Sequence, residues 1–339
     1  MLASNNARHT PTLPHMSRPL RLVVGLVVAA IAVGVATYQW KNPETTTLDA
    51  AARATASGKF VTLSQGVTHY QEDGPDTGRV VILAHGASVP LYIWDSTAVA
   101  LSAAGFRVIR YDRYGFGLSD RPDAAYDSTM FVKQLDELAD SLELTTPFDL
   151  MGLSFGGFVT AHYVRAHPTR VRTLTLVDPV ARSGTPAWYL SAINNTPLLR
   201  EWFWQVVAVP AAANGQSGDF LHPEYFPGWV DRYRPQLAYR GVGRAIRRTR
   251  SAASQTDLMA MYEAVAKTGV PVLLIWGKQD PVVPFLYSDS LRIRMPAAEF
   301  LPVDSSGHLP HMEQSVLVRD KMLAFLAAHP PAISTKEEH

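Results

Sequence analysis

Residues 149–168 read DLMGLSFGGFVTAHYVRAHP: a short apolar run, a serine among glycines, and a stretch with helical character that ends at Pro168. Gly152-x-Ser154-x-Gly156 has the spacing of a nucleophile elbow, in which a serine sits on a strained strand-to-helix turn with its hydroxyl projecting. Glycines are needed there because strand and helix approach too closely for side chains. The helix that follows presents its N-terminus, so unpaired backbone N–H groups face any developing anion. A neutral serine is a poor nucleophile. It requires a base, an acid to orient that base, and donors for the oxyanion.

Working outward, short β-rich runs alternate with helical stretches from residue 60 onward. KFVTL and VTHYQ suggest a hairpin, and RVVILAHG, FRVIRYD, FDLMG, VRTLTLVDP, VPVLLIWG and EFLPVD read as strands. Helical patterns fall near 92–104, 129–144, 155–167, 285–294 and 313–328. This alternation predicts an α/β fold with a mostly parallel sheet and helices on both faces. It breaks between 183 and 266, a span rich in aromatics and without a convincing strand. That span is too long for an ordinary connection, so it is expected to form a mostly helical cap inserted after the sixth strand. Trp188, Trp202, Phe203, Trp204, Phe226 and Trp229 are divided in this reading between the cap's own core and a substrate pocket.

Ligands bind beyond the carboxyl ends of strands in such sheets, and the partners of Ser154 are sought there. Asp280 follows VPVLLIWG, and His308 lies in the loop after the last strand. The order Ser, Asp, His is the one expected for a serine on this turn. His311 competes with His308 but follows Pro310 into a helix start, and Asp178 after VRTLTLV competes with Asp280. Backbone N–H groups of Phe155 and Ala87 are the expected oxyanion donors. His85 and the loop YDRYGFGLSD, with Asp112, Arg113, Gly115 and Gly117, are read as structural borders of the site.

The motifs HGAS, YDRYGFGLSD, GLSFGG, WGKQDPVVP and GHLPHME, in that order over residues 60–330, resemble the α/β-hydrolase family in its capped, serine-nucleophile branch. The resemblance implies an eight-stranded sheet, no cofactor and acyl-enzyme chemistry. Ser154 sets it apart from the branches with an aspartate nucleophile. The resulting expectation is a carboxylic-ester hydrolase for apolar or medium-chain acyl groups, with Ser154, Asp280 and His308 as its triad. Amide hydrolysis, acyl transfer and perhydrolysis use the same intermediate, and a ligand-binding protein on this scaffold is the alternative of another class.

Composition bounds the rest. The 339 residues carry a formal charge of +1, which offers no electrostatic reason to expect nucleic acid. With no cysteine, disulfides, thiolate zinc sites and a cysteine nucleophile are excluded. No phosphate loop, dinucleotide fingerprint or metal-ligand spacing is present, so no metal is expected. Near the start, Arg18 and Arg21 precede the uncharged run from Leu22 to Trp40. Its 19 residues would rise about 28 Å as a helix, close to the ~30 Å of a hydrocarbon core.

The flanking arginines keep residues 1–21 cytoplasmic and send the rest across. A signal anchor over 22–40 is expected, with a signal peptide cleaved near Gly34-Val35-Ala36, and so a secreted domain, as the alternative. Residues 41–58 read as a flexible tether, followed by core (59–182), cap (183–266), core (267–330) and a tail (331–339). Arg240, Arg244, Arg247 and Arg248 share one helical face, either solvated or contacting anionic lipid headgroups.

Overall fold

The computed structural model describes residues 17–182 and 188–331. Residues 1–16 of the N-terminal segment, the first residues of the cap (183–187) and 332–339 of the tail lie outside them. The chain divides into two units, residues 1–42 and 43–339.

Among the described residues the first unit holds one α-helix, Arg18–Lys41, of 24 residues, with Pro19 in its first turn and Lys41 in its last. Both placements suit a helix: proline's missing N–H is unused at a helix start, and a cation complements the C-terminal dipole. None of its residues is buried, and it is long and apolar enough to cross a membrane by length and composition.

The second unit is built on an eight-stranded sheet: β1 (Lys59–Leu63), β2 (Gly66–Asp73), β3 (Val80–Ala84), β4 (Arg107–Tyr111), β5 (Phe148–Leu153), β6 (Val171–Val177), β7 (Val272–Gly277) and β8 (Glu299–Val303). The spatial order is β1-β2-β4-β3-β5-β6-β7-β8. The β1–β2 and β2–β4 pairs are antiparallel and the others parallel. Every residue of β5 and β7 is buried, as continuous apolar runs covered on both faces must be. Pro302 lies in β8, a strand at the sheet's edge where a missing N–H breaks no ladder.

Helices Asp95–Ala103 and Ser315–Ala328 pack on each other, while Ser128–Ser141, Phe155–Ala166, Leu258–Ala266 and Tyr287–Arg294 form a second packed group. Leu258–Ala266 was expected in the cap. It packs instead on Phe155–Ala166 and Tyr287–Arg294 and belongs to the core layer, so the helices of the cap end with Val242–Ser254.

One charge is fully buried in β5. The carboxylate of Asp149 accepts two hydrogen bonds from Arg79 (2.6 and 2.7 Å), one from Thr173 Oγ1 (2.7 Å) and one from Arg172 (3.3 Å). Arg79 also donates to the Leu326 carbonyl at 2.6 Å, which fastens the closing helix to the sheet. Removing one partner of a buried pair leaves an uncompensated charge. Arg79→Ala is therefore expected to destabilise the domain by about 3 kcal/mol, the low end of the usual range because Arg172 remains; chemical denaturation would measure it.

The expected tether does not hang free. Thr46 pairs in parallel with Tyr239, donating to the Ala238 carbonyl at 2.8 Å and accepting from the Arg240 amide at 2.9 Å. Glu44 accepts the amides of Gly241 and Gly243, each at 2.7 Å, and Gln205 Nε2 at 3.0 Å. It thereby satisfies orphan donors at the start of the 13-residue helix Val242–Ser254. Arg53 donates to the Leu118 carbonyl at 3.0 Å and to Asp120 at 2.5 Å. Leu48 is the one bulky apolar side chain of residues 41–58, and polar groups fasten the segment as a strap across cap and core.

Candidate active site

Ser154 stands between β5 and the helix Phe155–Ala166 with φ 52° and ψ −117°. A non-glycine residue in this region stores about 1–3 kcal/mol of backbone strain and persists only where its surroundings impose it. The imposing bonds are present: the Ser154 amide donates to the Val177 carbonyl at 2.9 Å, and its carbonyl accepts from Gly157 (2.9 Å) and Val180 (3.2 Å). A β-carbon on Gly156 would fall 2.1 Å from the Ala84 carbonyl oxygen, which is why the helix can pass so close to β3 only with glycine there.

The turn after β3 lies alongside. A β-carbon on Gly86 would come within 3.2 Å of the Ser154 β-carbon, so Ala87, one residue on and exposed, borders the serine. Phe155 opens its helix and has no intrahelical acceptor for its N–H. The loop is held from beneath by Arg113, whose fully buried guanidinium donates to the carbonyls of His85 (3.2 Å) and Gly86 (2.7 Å). Its charge is enclosed by the rings of Phe116, Phe131 and Phe155 at 4.8–4.9 Å. Burial pulls its pKa down to about 9. His85 donates from Nδ1 to the Gly86 carbonyl (2.8 Å) and accepts the Arg113 amide at Nε2 (2.9 Å). Burial and the neighbouring Arg113 lower its pKa to about 3, so it is a neutral structural ring.

His308 and Asp280, both buried, meet beyond β7 and β8: His308 Nδ1 donates to Asp280 Oδ2 at 2.8 Å. The other carboxylate oxygen accepts the amides of Val282 (2.7 Å) and Val283 (2.9 Å), which fixes its orientation. Burial works against the charged imidazolium, yet the charge and hydrogen bond of Asp280, with the charge of Asp219 behind them, outweigh it and raise the His308 pKa. Ser154 Oγ makes no hydrogen bond among the described residues; such contacts commonly tighten only when substrate binds.

Of the two rivals, Asp178 lies beside this pair and His311 is bonded away from it. Asp178, also on a positive-φ turn (41°), accepts the Gly277 amide at 2.9 Å through Oδ1. Ligand atoms of Asp178, Asp280 and His308 all lie within 4.8 Å of one another. Burial, with Asp280's charge beside it, holds the Asp178 carboxyl well above the usual carboxylate range. His311 donates from Nε2 to the Ile93 carbonyl at 3.0 Å and packs on Trp94 at 4.6 Å between ring centroids. Burial lowers its pKa to about 4.

The cap supplies a carboxyl that sequence reasoning missed. Asp219 accepts the His308 amide through its backbone carbonyl at 2.7 Å. Its side chain is pushed up to about 6 by burial, partly opposed by His308 and reinforced by Asp280. Next to it, Phe220 stacks on Phe226 (4.2 Å) and meets Trp229 edge-on (5.4 Å), and Trp229 in turn meets Tyr92 (5.7 Å). Phe226 and Trp229 thus lie beside the His308 loop, with Phe220 and Tyr92 added to them.

Trp202, Phe203 and Trp204 are half-buried, and Trp204 Nε1 donates to Asn194 Oδ1 at 3.0 Å. Trp188 is 82 % exposed, in a helix with no buried residue, and is not in a pocket wall. Nor do the four arginines form one solvated face. Arg244 donates to the Arg121 carbonyl at 2.9 Å, and Arg248 to Asp123 (2.5 Å) and the Ala124 carbonyl (2.6 Å). The loop at 121–124 supplies acceptors that turn these two inward.

Residues 81–320 match the alpha/beta hydrolase family. A non-heme chloroperoxidase of Streptomyces lividans is 30% identical over 237 residues, covering 66% of this chain and 83% of its own. A pimeloyl-[acyl-carrier protein] methyl ester esterase of Neisseria meningitidis is 26% identical over 243 residues, with 71% and 74% covered. Among solved structures, the enol-lactonase of Burkholderia xenovorans LB400 superposes with a TM-score of 0.69 at 21% identity, over 79% of this chain and all of its own. With the sheet order, the elbow at Ser154 and the extent of this match, the chain belongs to the α/β-hydrolase family.

Proposed function

We propose that this protein hydrolyses carboxylic esters of apolar or medium-chain acyl groups through an acyl-Ser154 intermediate. The observation that carries the reading is the buried His308–Asp280 hydrogen bond at the same sheet edge as the strained serine. His308 removes the Ser154 proton as Oγ attacks the ester carbonyl, and the amides of Ala87 and Phe155 donate hydrogen bonds to the oxyanion. Collapse expels the alkoxide, which leaves as the alcohol with the proton from His308. Water, deprotonated by the same ring, then attacks the acyl-enzyme and frees the acid and Ser154. Asp280 holds the tautomer and stabilises the imidazolium. The aromatic group of Phe220, Phe226, Trp229 and Tyr92 supports an apolar acyl chain.

The helix Arg18–Lys41 supports a bilayer anchor, with the catalytic domain on the periplasmic or extracellular side and release after signal cleavage as the variant. Contact with anionic headgroups would fall to Arg240 and Arg247, since Arg244 and Arg248 are engaged.

Labelling by a fluorophosphonate, together with a p-nitrophenyl ester series of increasing chain length, tests the reading: labelling and a medium-chain optimum are expected. A folded protein that neither labels nor turns over any ester would leave the scaffold as a ligand-binding one. The relative named a chloroperoxidase favours one further outcome, attack of hydrogen peroxide on the acyl-enzyme in place of water, read as peracid formation.

The pH profile is a separate check. His308 must be neutral to accept the serine proton, and its pKa is raised above 6.5. Activity is therefore expected to fall as pH drops through a limb above 6.5, in kcat/KM of the free enzyme. Replacing Asp280 by asparagine removes the first cause of the rise, and should move that limb to lower pH.

A further inference from the structure

The loop that carries His308 is held between the sheet and the cap. A β-carbon on Gly307 would lie 2.7 Å from the Asp219 carbonyl oxygen and 2.8 Å from the Leu221 amide nitrogen. On the other side, a β-carbon on Gly277 would lie 2.0 Å from the Gly307 carbonyl oxygen. Ser305, at the start of the loop, has φ 52°, a conformation that must be imposed from outside.

One side chain reaches the loop and the cap together. Glu313 Oε1 accepts the amides of Leu221 (2.7 Å) and His222 (3.1 Å), which are cap residues. Its Oε2 accepts the Gly307 amide (2.6 Å) and the Ser306 hydroxyl (3.2 Å), which belong to the histidine loop. Four donors converge on one group. Only a carboxylate, with two acceptor oxygens and no proton, satisfies both sides at once.

We propose that Glu313 is a positioning residue that couples the cap to the base: it pins segment 219–222 to the His308 loop, so that displacement of the cap withdraws His308 from its working position. The inference rests on His308 being the base for Ser154. The shared anchor makes cap closure a condition of the proton transfer as well as a means of enclosing the acyl group. Asp219, whose carbonyl receives the His308 amide, moves with the same segment.

The experiment compares the full chain with Glu313→Gln and Glu313→Asp. Glutamine keeps one acceptor and turns an NH2 toward donors on the other side; aspartate keeps the charge but falls a methylene short. For Glu313→Gln, kcat for a p-nitrophenyl ester is expected to fall about 10- to 100-fold with KM within threefold, and fluorophosphonate labelling of Ser154 to slow by the same factor. Amide exchange measured by mass spectrometry should rise together in the peptides covering 219–222 and 305–309. Glu313→Asp should show the same pattern at reduced size, which serves if the glutamine variant does not fold.

Unchanged kcat and labelling rate in either folded variant would overturn the proposal. So would faster exchange in only one of the two segments, or a loss of kcat matched by loss of folded protein. Wild type that fails to label would remove the ester reading and this inference with it. Wild type that labels, beside a Glu313→Gln variant labelling equally fast, removes this inference alone.

Discussion

Ser154→Ala should lower kcat for ester hydrolysis by about 10⁶-fold, since removing the nucleophile of a unit that acts together costs nearly as much as removing the whole unit. The substitution removes only a hydroxyl, which makes no hydrogen bond among the described residues. Its backbone bonds to Val177, Gly157 and Val180 are independent of the side chain, and alanine can be held in the same strained turn by the same contacts. The variant is therefore expected to melt within a few degrees of wild type, which makes the kinetic loss interpretable. Residual turnover about 10³–10⁴-fold over water should remain from oxyanion donors and binding. Fluorophosphonate labelling should disappear altogether. Retained labelling in the variant would place the reactive group elsewhere.

The second expected result separates two carboxyls that lie side by side. Asp280→Asn should reduce kcat by about 10⁴-fold, because asparagine permits the wrong imidazole tautomer and removes the charge that stabilises the imidazolium. Asp178→Asn should cost no more than a few-fold. Burial and Asp280 hold the Asp178 carboxyl well above the usual carboxylate range, which favours its neutral form, the form an amide resembles. Its Oδ1 bond to the Gly277 amide can be kept by the asparagine oxygen. Steady-state kinetics on both variants decides the matter, and a larger loss for Asp178→Asn would exchange the two roles.

The sheet and its insertion were legible because they are written in local pattern: apolar runs of strand length, glycines where chains cross, and one long span without strands. The same pattern puts Ser154, Asp280 and His308 after β5, β7 and β8, where the fold carries them. It does not choose between Asp178 and Asp280. Both follow buried strands, and what distinguishes them is which oxygen lies 2.8 Å from a ring nitrogen.

Asp219 and Glu313 were illegible for another reason. Asp219 meets His308 through its backbone carbonyl, Glu313 reaches the Leu221 amide across 92 residues of sequence, and no periodicity in the cap announces either. Trp188 was misplaced because an aromatic in a small insertion is as often outside as inside. The strap was misread because composition reports apolar content, whereas Glu44, Thr46 and Arg53 act by hydrogen bonds.

That strap has a bearing on what a cut within or beyond the N-terminal helix would release. Proteolysis near Ala36, upstream of Pro43, would release a domain that still carries Glu44 on the cap helix and Arg53 on Asp120. A cut at Gly58, just before the core that the sequence pattern delimits at residue 59, would strip both. The shed enzyme and the trimmed one would then differ in how firmly the cap is seated, although their sheets and reactive groups are the same.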